Sequence, residues 1–281
     1  MAAQPVPVFG HPAFSAQVVA EFSKFFEVAP RLTGSLNDLT GRQFQNPEAH
    51  HRVVLNLGLL TGVSAVELVT LAANGMGLGA MKILRTIMES AINAEYIRRN
   101  PTECDFYLEW FWVEQNKLLT YVQLHAQHLL PQLTPQEITR VQTEFQRVRP
   151  LFLKASGTDL RSSWCSLDLG ARAAVTDFAE AFRIINPVSS QLIHGTMLGM
   201  SQHFDINKDA HRISVPPTMD YVAQALIGCH MCVLKMTETL ATTFQFTPIH
   251  SIADLFTDYQ YAWTPPAAQA APAGVAGAPT T

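Results

Sequence analysis

Apolar residues recur along this chain at three- and four-residue intervals, and the two-residue alternation of a half-buried strand is nearly absent. The pattern predicts an all-α chain. A first helix is expected over 14–28, ending before Pro30, with 34–45 read as a polar loop. Asn46 and Pro47 supply an N-cap and a first-position proline for a long helix reaching about Asn74. Gly75, Gly77 and Gly79 break it from the next helix, which ends near Asn100 and Pro101. A third long helix over 102–128 carries Trp110, Phe111 and Trp112 and is stopped by Pro131. Thr134, followed by Pro135 and Glu137, has the form of a capping box opening a charged helix that reaches Pro150. Residues 157–164 read as a loop or short turn. A helix is expected over 171–185, and Asn186 with Pro187 restarts another that continues to about His203. A polar connection over 205–217 leads to a last long helix over 218–246 and a short one near 251–259.

Long, thinly charged helices joined by short breaks indicate a single multi-helix bundle over residues 13–260. Residues 1–12 are expected to be flexible, and the Ala/Pro-rich tail over 261–281 to be disordered. A chain of 281 residues buries enough surface to need no disulfide or metal staple.

Composition sharpens this picture. Charged residues make up 15% of the chain, against about a quarter in a typical soluble protein, while hydrophobic residues reach 48%. That ratio calls for a large core, an apolar interface in a homo-oligomer, or both. The net charge of −4 is scattered along the chain, so no basic stripe marks a surface for nucleic acid. The four cysteines show no framework spacing, which fits buried thiols in a reducing compartment. The N-terminus has neither the basic nor the apolar region of a secretory signal. The longest apolar run, 53–66, reads as too short for a membrane span. These features together predict a soluble cytoplasmic protein.

The candidate chemistry begins with Arg85 and Glu89, four residues apart in an otherwise apolar helix. With Ile92 and Tyr96 they fall on one stripe, and the apolar flanks predict that the pair is interior. The second feature is His194, with Ser190 one turn ahead of it to orient the imidazole. Each of Arg85, Glu89 and His194 is the strongly polar residue on its apolar face, and buried polar groups need partners. The three are therefore expected to form one polar cluster, with Tyr96 and Ser190 beside it, binding a small ligand or a protein partner. Trp110, Trp112 and Trp164 are candidate aromatic contacts, for a ligand or for packing.

Other chemistries find little support. Glu48 and His51 have the spacing of a helical carboxylate-histidine metal pair, but no second pair accompanies them, so no metal site is expected. No cysteine has a cationic neighbour to activate it. No glycine-rich phosphate loop is present, and no cofactor is implied.

The order of two short motifs resembles an uncharacterised bacterial all-helical family, catalogued as the domain of unknown function five-six-seven-seven. The first motif is Arg-x-x-x-Glu on an apolar helix followed by a Tyr, here Arg85, Glu89 and Tyr96. The second is a Trp opening an apolar helix and then Ser-x-x-x-His-Gly, here Trp164 with Leu167 and Ala171 behind it, then Ser190, His194 and Gly195. The resemblance covers roughly residues 47–203 and brings no established activity. One departure matters: the family tends to carry Tyr-Arg just before the Ser, where this chain has Asn186 and Pro187. A metal-independent helical ribonuclease of bacterial defence is the competing expectation, with His194 as general base. Such enzymes place an Arg four to six residues before the His, and here Arg183 lies further upstream, across Pro187. A third expectation is a purely structural interaction module in which Trp110 supports assembly.

Overall fold

Residues 12–193 and 217–264 are described by the structure, a computed structural model, and all their regular secondary structure is helical. The chain runs through α1 (Pro12–Glu21), α2 (Ser23–Thr40), α3 (Ala49–Ala73), α4 (Gly77–Arg99), α5 (Cys104–His125) and α6 (Pro135–Val148). It continues through α7 (Leu169–Val175), α8 (Ala179–Ile193), α9 (Val222–Phe244) and α10 (Ile252–Trp263).

The centre of the bundle is the trio α3, α4 and α9. On α4, Leu84, Ile87, Met88, Ala91 and Ile92 are fully buried, because α3, α9, α8 and α7 all pack against this helix. On α9, Val222, Ala225, Leu226, Cys232, Met236 and Leu240 are likewise without exposure. The glycine break before α4 has a specific use. Gly75 takes φ 68°, and its carbonyl accepts from Thr218 N–H at 3.0 Å, tying the start of α4 to the approach to α9. A Cβ on Gly77 would collide with the backbone of Asp220 and sit 2.8 Å from Val222 N, so only glycine permits this contact.

α2 and α10 close one side of the trio and α8 another. The α5–α6 hairpin has its own small core of Val113, Val148 and Phe152. Trp110 meets Phe152 edge-to-face at 5.0 Å, and Trp112 packs on Phe111 at 5.0 Å, so both tryptophans serve the hairpin. The capping box is formed as expected: Glu137 N–H donates to Thr134 Oγ1 at 3.2 Å, and Thr134 N–H to Glu137 Oε2 at 2.7 Å.

Several boundaries differ from the sequence reading. Instead of one helix over 14–28 and a polar loop over 34–45, α2 runs through Pro30 to Thr40. Val28, Leu32, Leu36 and Leu39 are buried on one face of it, and that packing outweighs the backbone hydrogen bond lost at the proline. Instead of a helix over 171–185 and a restart at Asn186, the chain breaks at Asp177, which takes φ 62°. α8 then passes through Pro187 without interruption. The Asp168 side chain caps α7 by accepting from Ala171 N–H at 2.8 Å. α10 extends to Trp263, past the expected start of the tail at 261, because Trp263 packs on Phe25 and Phe22. Residues 1–11 and 265–281 lie outside the described residues.

α3 follows the expected long helix closely, covering Ala49–Ala73 against an expected end at about Asn74. Over its 25 residues it is long and apolar enough to cross a membrane, and an 18-residue stretch of it has a mean hydropathy of 1.8 and is 44% buried. Its outward stripe of Leu59, Leu60, Val63 and Val66 is exposed.

Candidate functional site

α4 presents two ionic arrangements on different sides, and they differ sharply in burial. The expected pair exists: Arg85 Nε donates to Glu89 Oε1 at 2.7 Å. It is not interior, since the side chains are 24% and 37% exposed. The reason is rotational. α3, α8 and α9 cover the faces carrying Leu84, Ile87, Met88 and Glu95, and leave a strip that includes Lys82, Thr86 and the Arg85–Glu89 pair. One atom of the pair is hidden: Arg85 Nη1 is buried and has no hydrogen-bond partner among the described residues.

Further along α4, two expected site residues do come together. Tyr96 and Trp164 are buried and meet edge-to-face at 5.9 Å, with Tyr107 on Trp164 at 5.2 Å. The guanidinium of Arg172, on α7, lies 4.8 Å over the Trp164 ring. Arg172 is 5% exposed and donates to Asn93 Oδ1 and, at 3.4 Å, to Ser163 Oγ. Its Nε has no partner among the described residues, and burial lowers its affinity for the proton. Burial also pushes the Tyr96 phenol well above its ordinary value, with Cys165 adding to the effect, so Tyr96 stays protonated. This cluster holds the segment from Ser163 to Asp168 against α4, with the free, buried Cys165 thiol beside Tyr96 and Arg172. Sequence reasoning passed over Arg172, whose signal was a lone cation in the apolar run after Trp164.

Ser190 sits half-buried on α8. His194 lies outside the described residues, and so does any contact that would join it to Arg85 and Glu89. Among the described residues, no group of three or more His, Cys, Asp or Glu side chains could hold a metal ion.

The interior ionic centre is Glu95, 7% exposed, which the sequence reading missed because it weighed the stripe of Arg85 alone. Glu95 accepts from Arg98 Nε and Nη2 at 2.7 Å each, from Arg99 Nε at 2.6 Å and from Thr239 Oγ1 at 2.9 Å. Burial alone would raise its carboxyl pKa. The bonds from Arg98, Arg99 and Thr239 outweigh that and hold it below the ordinary value. Arg99 reaches onward to Asp177 and to the Val175 carbonyl at 2.8 Å, fixing the break between α7 and α8. These groups wall a small polar cavity of about 110 Å³.

Asp177, Phe178, Lys235 and Glu238 line both this cavity and a much larger neighbour. The larger one is a groove of about 890 Å³ between α8, α9 and α10. Its floor is Met81, Ile185 and Gly228, its walls include Ile184, Val188, Met231 and Phe256, and its charged groups are at one end and the rim. No charge is needed to form such a groove, so hydropathy patterning could not have located it.

Residues 51–212 match the model of a family described as a family of unknown function, DUF5677. The matched span holds α3 to α8 and both motifs singled out in the sequence, whereas α9 and α10 lie beyond it. No curated protein and no solved structure matches the chain.

Proposed function

The chain belongs to the DUF5677 family of unknown function, and we propose that it is a binding module whose ligand lies in the groove between α8, α9 and α10. The observation that carries this reading is the groove itself: about 890 Å³, lined mostly by apolar side chains with a few charged and polar groups among them. Ligand sites typically span about 300–1,000 Å³ and combine apolar walls with a few placed polar groups. Met81 and Met231 add side chains that adapt to an irregular apolar guest.

A simple apolar probe, 1-octanol, tests the reading. At ten times its Kd it should stabilise the protein by about 1.4 kcal/mol, seen as a rise in Tm. Ile227→Trp fills the groove and should remove that rise, while the variant's own unfolding curve reports that it is folded. No octanol-dependent shift in the native chain at millimolar concentrations would sink the proposal.

A second reading, self-association, is favoured by the exposed Leu59, Leu60, Val63 and Val66 stripe on α3. Contiguous apolar surface on a folded chain commonly marks an interface. Sedimentation equilibrium should then find a dimer or higher oligomer that Val63→Lys dissociates. A monomeric native chain that instead floats with lipid vesicles would assign the stripe to a membrane surface.

A further inference from the structure

The charge around the groove has one dominant sign. Three carboxylates line it, Asp177, Glu180 and Glu238, against a single ammonium, Lys235. Two of the three are already engaged: Asp177 accepts from Arg99, and Glu238 from Lys235 at 2.9 Å. Glu180 has no ion pair among the described residues. Behind the shared end, Arg98 and Arg99 are both answered by Glu95, so no cation there is left to meet an anionic ligand.

Glu180 lines the groove together with Tyr259 of α10. The Tyr259 phenol is pushed up mainly by burial, then by Cys232 and by the charge of Glu180. Phe178, Tyr221 and Phe256 are the other rings in the lining. Carboxylate and aromatic faces around an apolar channel are complementary to an ammonium carried on a hydrocarbon chain. The carboxylate accepts charge-assisted hydrogen bonds, and the ring faces attract the cation. An alkyl carboxylate in the same place would meet like charge.

Resting on the groove being a ligand site, we infer that its ligand is a cationic amphiphile. The ammonium head lies at the rim beside Glu180, and the apolar chain runs over Ile184, Ile185 and Met231. Asp177 and Glu238 are neutralised by Arg99 and Lys235, so the uncompensated charge at the rim is that of Glu180.

Three probes of equal chain length separate head from chain: octylammonium, 1-octanol and octanoate, each titrated by calorimetry into the full chain. Octylammonium should bind about five-fold more tightly than octanol, the increment of a rim charge pair of about 1 kcal/mol, and octanoate more weakly than octanol. Glu180→Gln should bring the ammonium-to-octanol ratio close to one, and Glu180→Lys should reverse it in favour of octanoate. Octanoate binding as well as octylammonium would overturn the inference, as would an ammonium preference that survives Glu180→Gln. Equal binding of all three probes overturns the assignment of the head and leaves the groove as an apolar site. Binding of none of them overturns the groove reading itself, and this inference with it.

Discussion

Glu95→Ala is expected to destabilise the protein by about 3–5 kcal/mol, the cost of removing one partner from a buried ion pair. Glu95 is the interior carboxylate that both Arg98 and Arg99 turn toward, and it also takes the Thr239 hydroxyl from α9. Without it, two partly exposed guanidinium groups share the junction of α4 and α9, and Arg99 keeps only Asp177 as an anionic partner. The effect should reach the break between α7 and α8, because Arg99 also holds Asp177 and the Val175 carbonyl. Urea unfolding measures the loss directly. Glu95→Gln should fall between the native chain and Glu95→Ala, since it keeps an acceptor oxygen and loses the charge. The double variant Arg85→Met, Glu89→Leu supplies the contrast. Its pair is partly solvated, so its stability should change by only about 1 kcal/mol or less. An unchanged urea midpoint for Glu95→Ala would refute the assignment of Glu95 as the ionic centre of the bundle.

The second large effect is pH dependence centred on His230. This side chain is 1% exposed on α9, among the rings of Phe25, Tyr259 and Trp263. Trp263 Nε1–H donates to His230 Nδ1 at 3.1 Å, so Nε2 must carry the proton of the neutral ring. That nitrogen is buried and has no partner among the described residues. Burial lowers the pKa of His230 to about 4, from an ordinary value of 6.5. The folded chain therefore resists a proton that the unfolded chain accepts. Stability is complete above pH 6.5, falls as the pH drops toward 4, and levels off below that. A shift of that size corresponds to roughly 3 kcal/mol. Glu95, held below its ordinary value of 4.5, adds a further loss as the pH falls from that value toward its own lowered one.

Denaturant midpoints at pH 7 and pH 4.5 should thus differ markedly for the native chain and much less for His230→Phe, which fills the same aromatic setting without a titrating group. Tryptophan emission should report the same transition, because Trp263 anchors α10 to α9 through this histidine. Equal pH slopes for the two chains would show that His230 does not set the acid limit.

How far the sequence reached differs between the fold and the site. Helical periodicity placed α3, α4, α5 and α9 to within a few residues, and the Thr134 capping box was legible because all its partners lie within one turn. The Arg85–Glu89 bond was legible for the same reason, since residues four apart on a helix are neighbours whatever the fold. Its burial was not. Apolar flanks show that a helix is largely covered, but which narrow strip stays open depends on the directions from which its neighbours arrive. Glu95 looked like one more charge near the end of α4, beside two arginines that a helix end ordinarily presents to water. Thr239, 144 residues away, is part of what makes it interior.

The same division runs through the rest of the molecule. Local spacing determined the helical class, the apolar character of α3 and the contacts that close within a turn, because these depend on the few residues around each position. The passage of α2 and α8 through their prolines was decided by tertiary packing. So were the neutral His230 under Trp263, the Arg172 cluster on Trp164, and the groove between α8, α9 and α10. Each of these depends on helices far apart in the chain meeting at one angle. The burial that shifts a pKa or opens an apolar channel exists only once they have met.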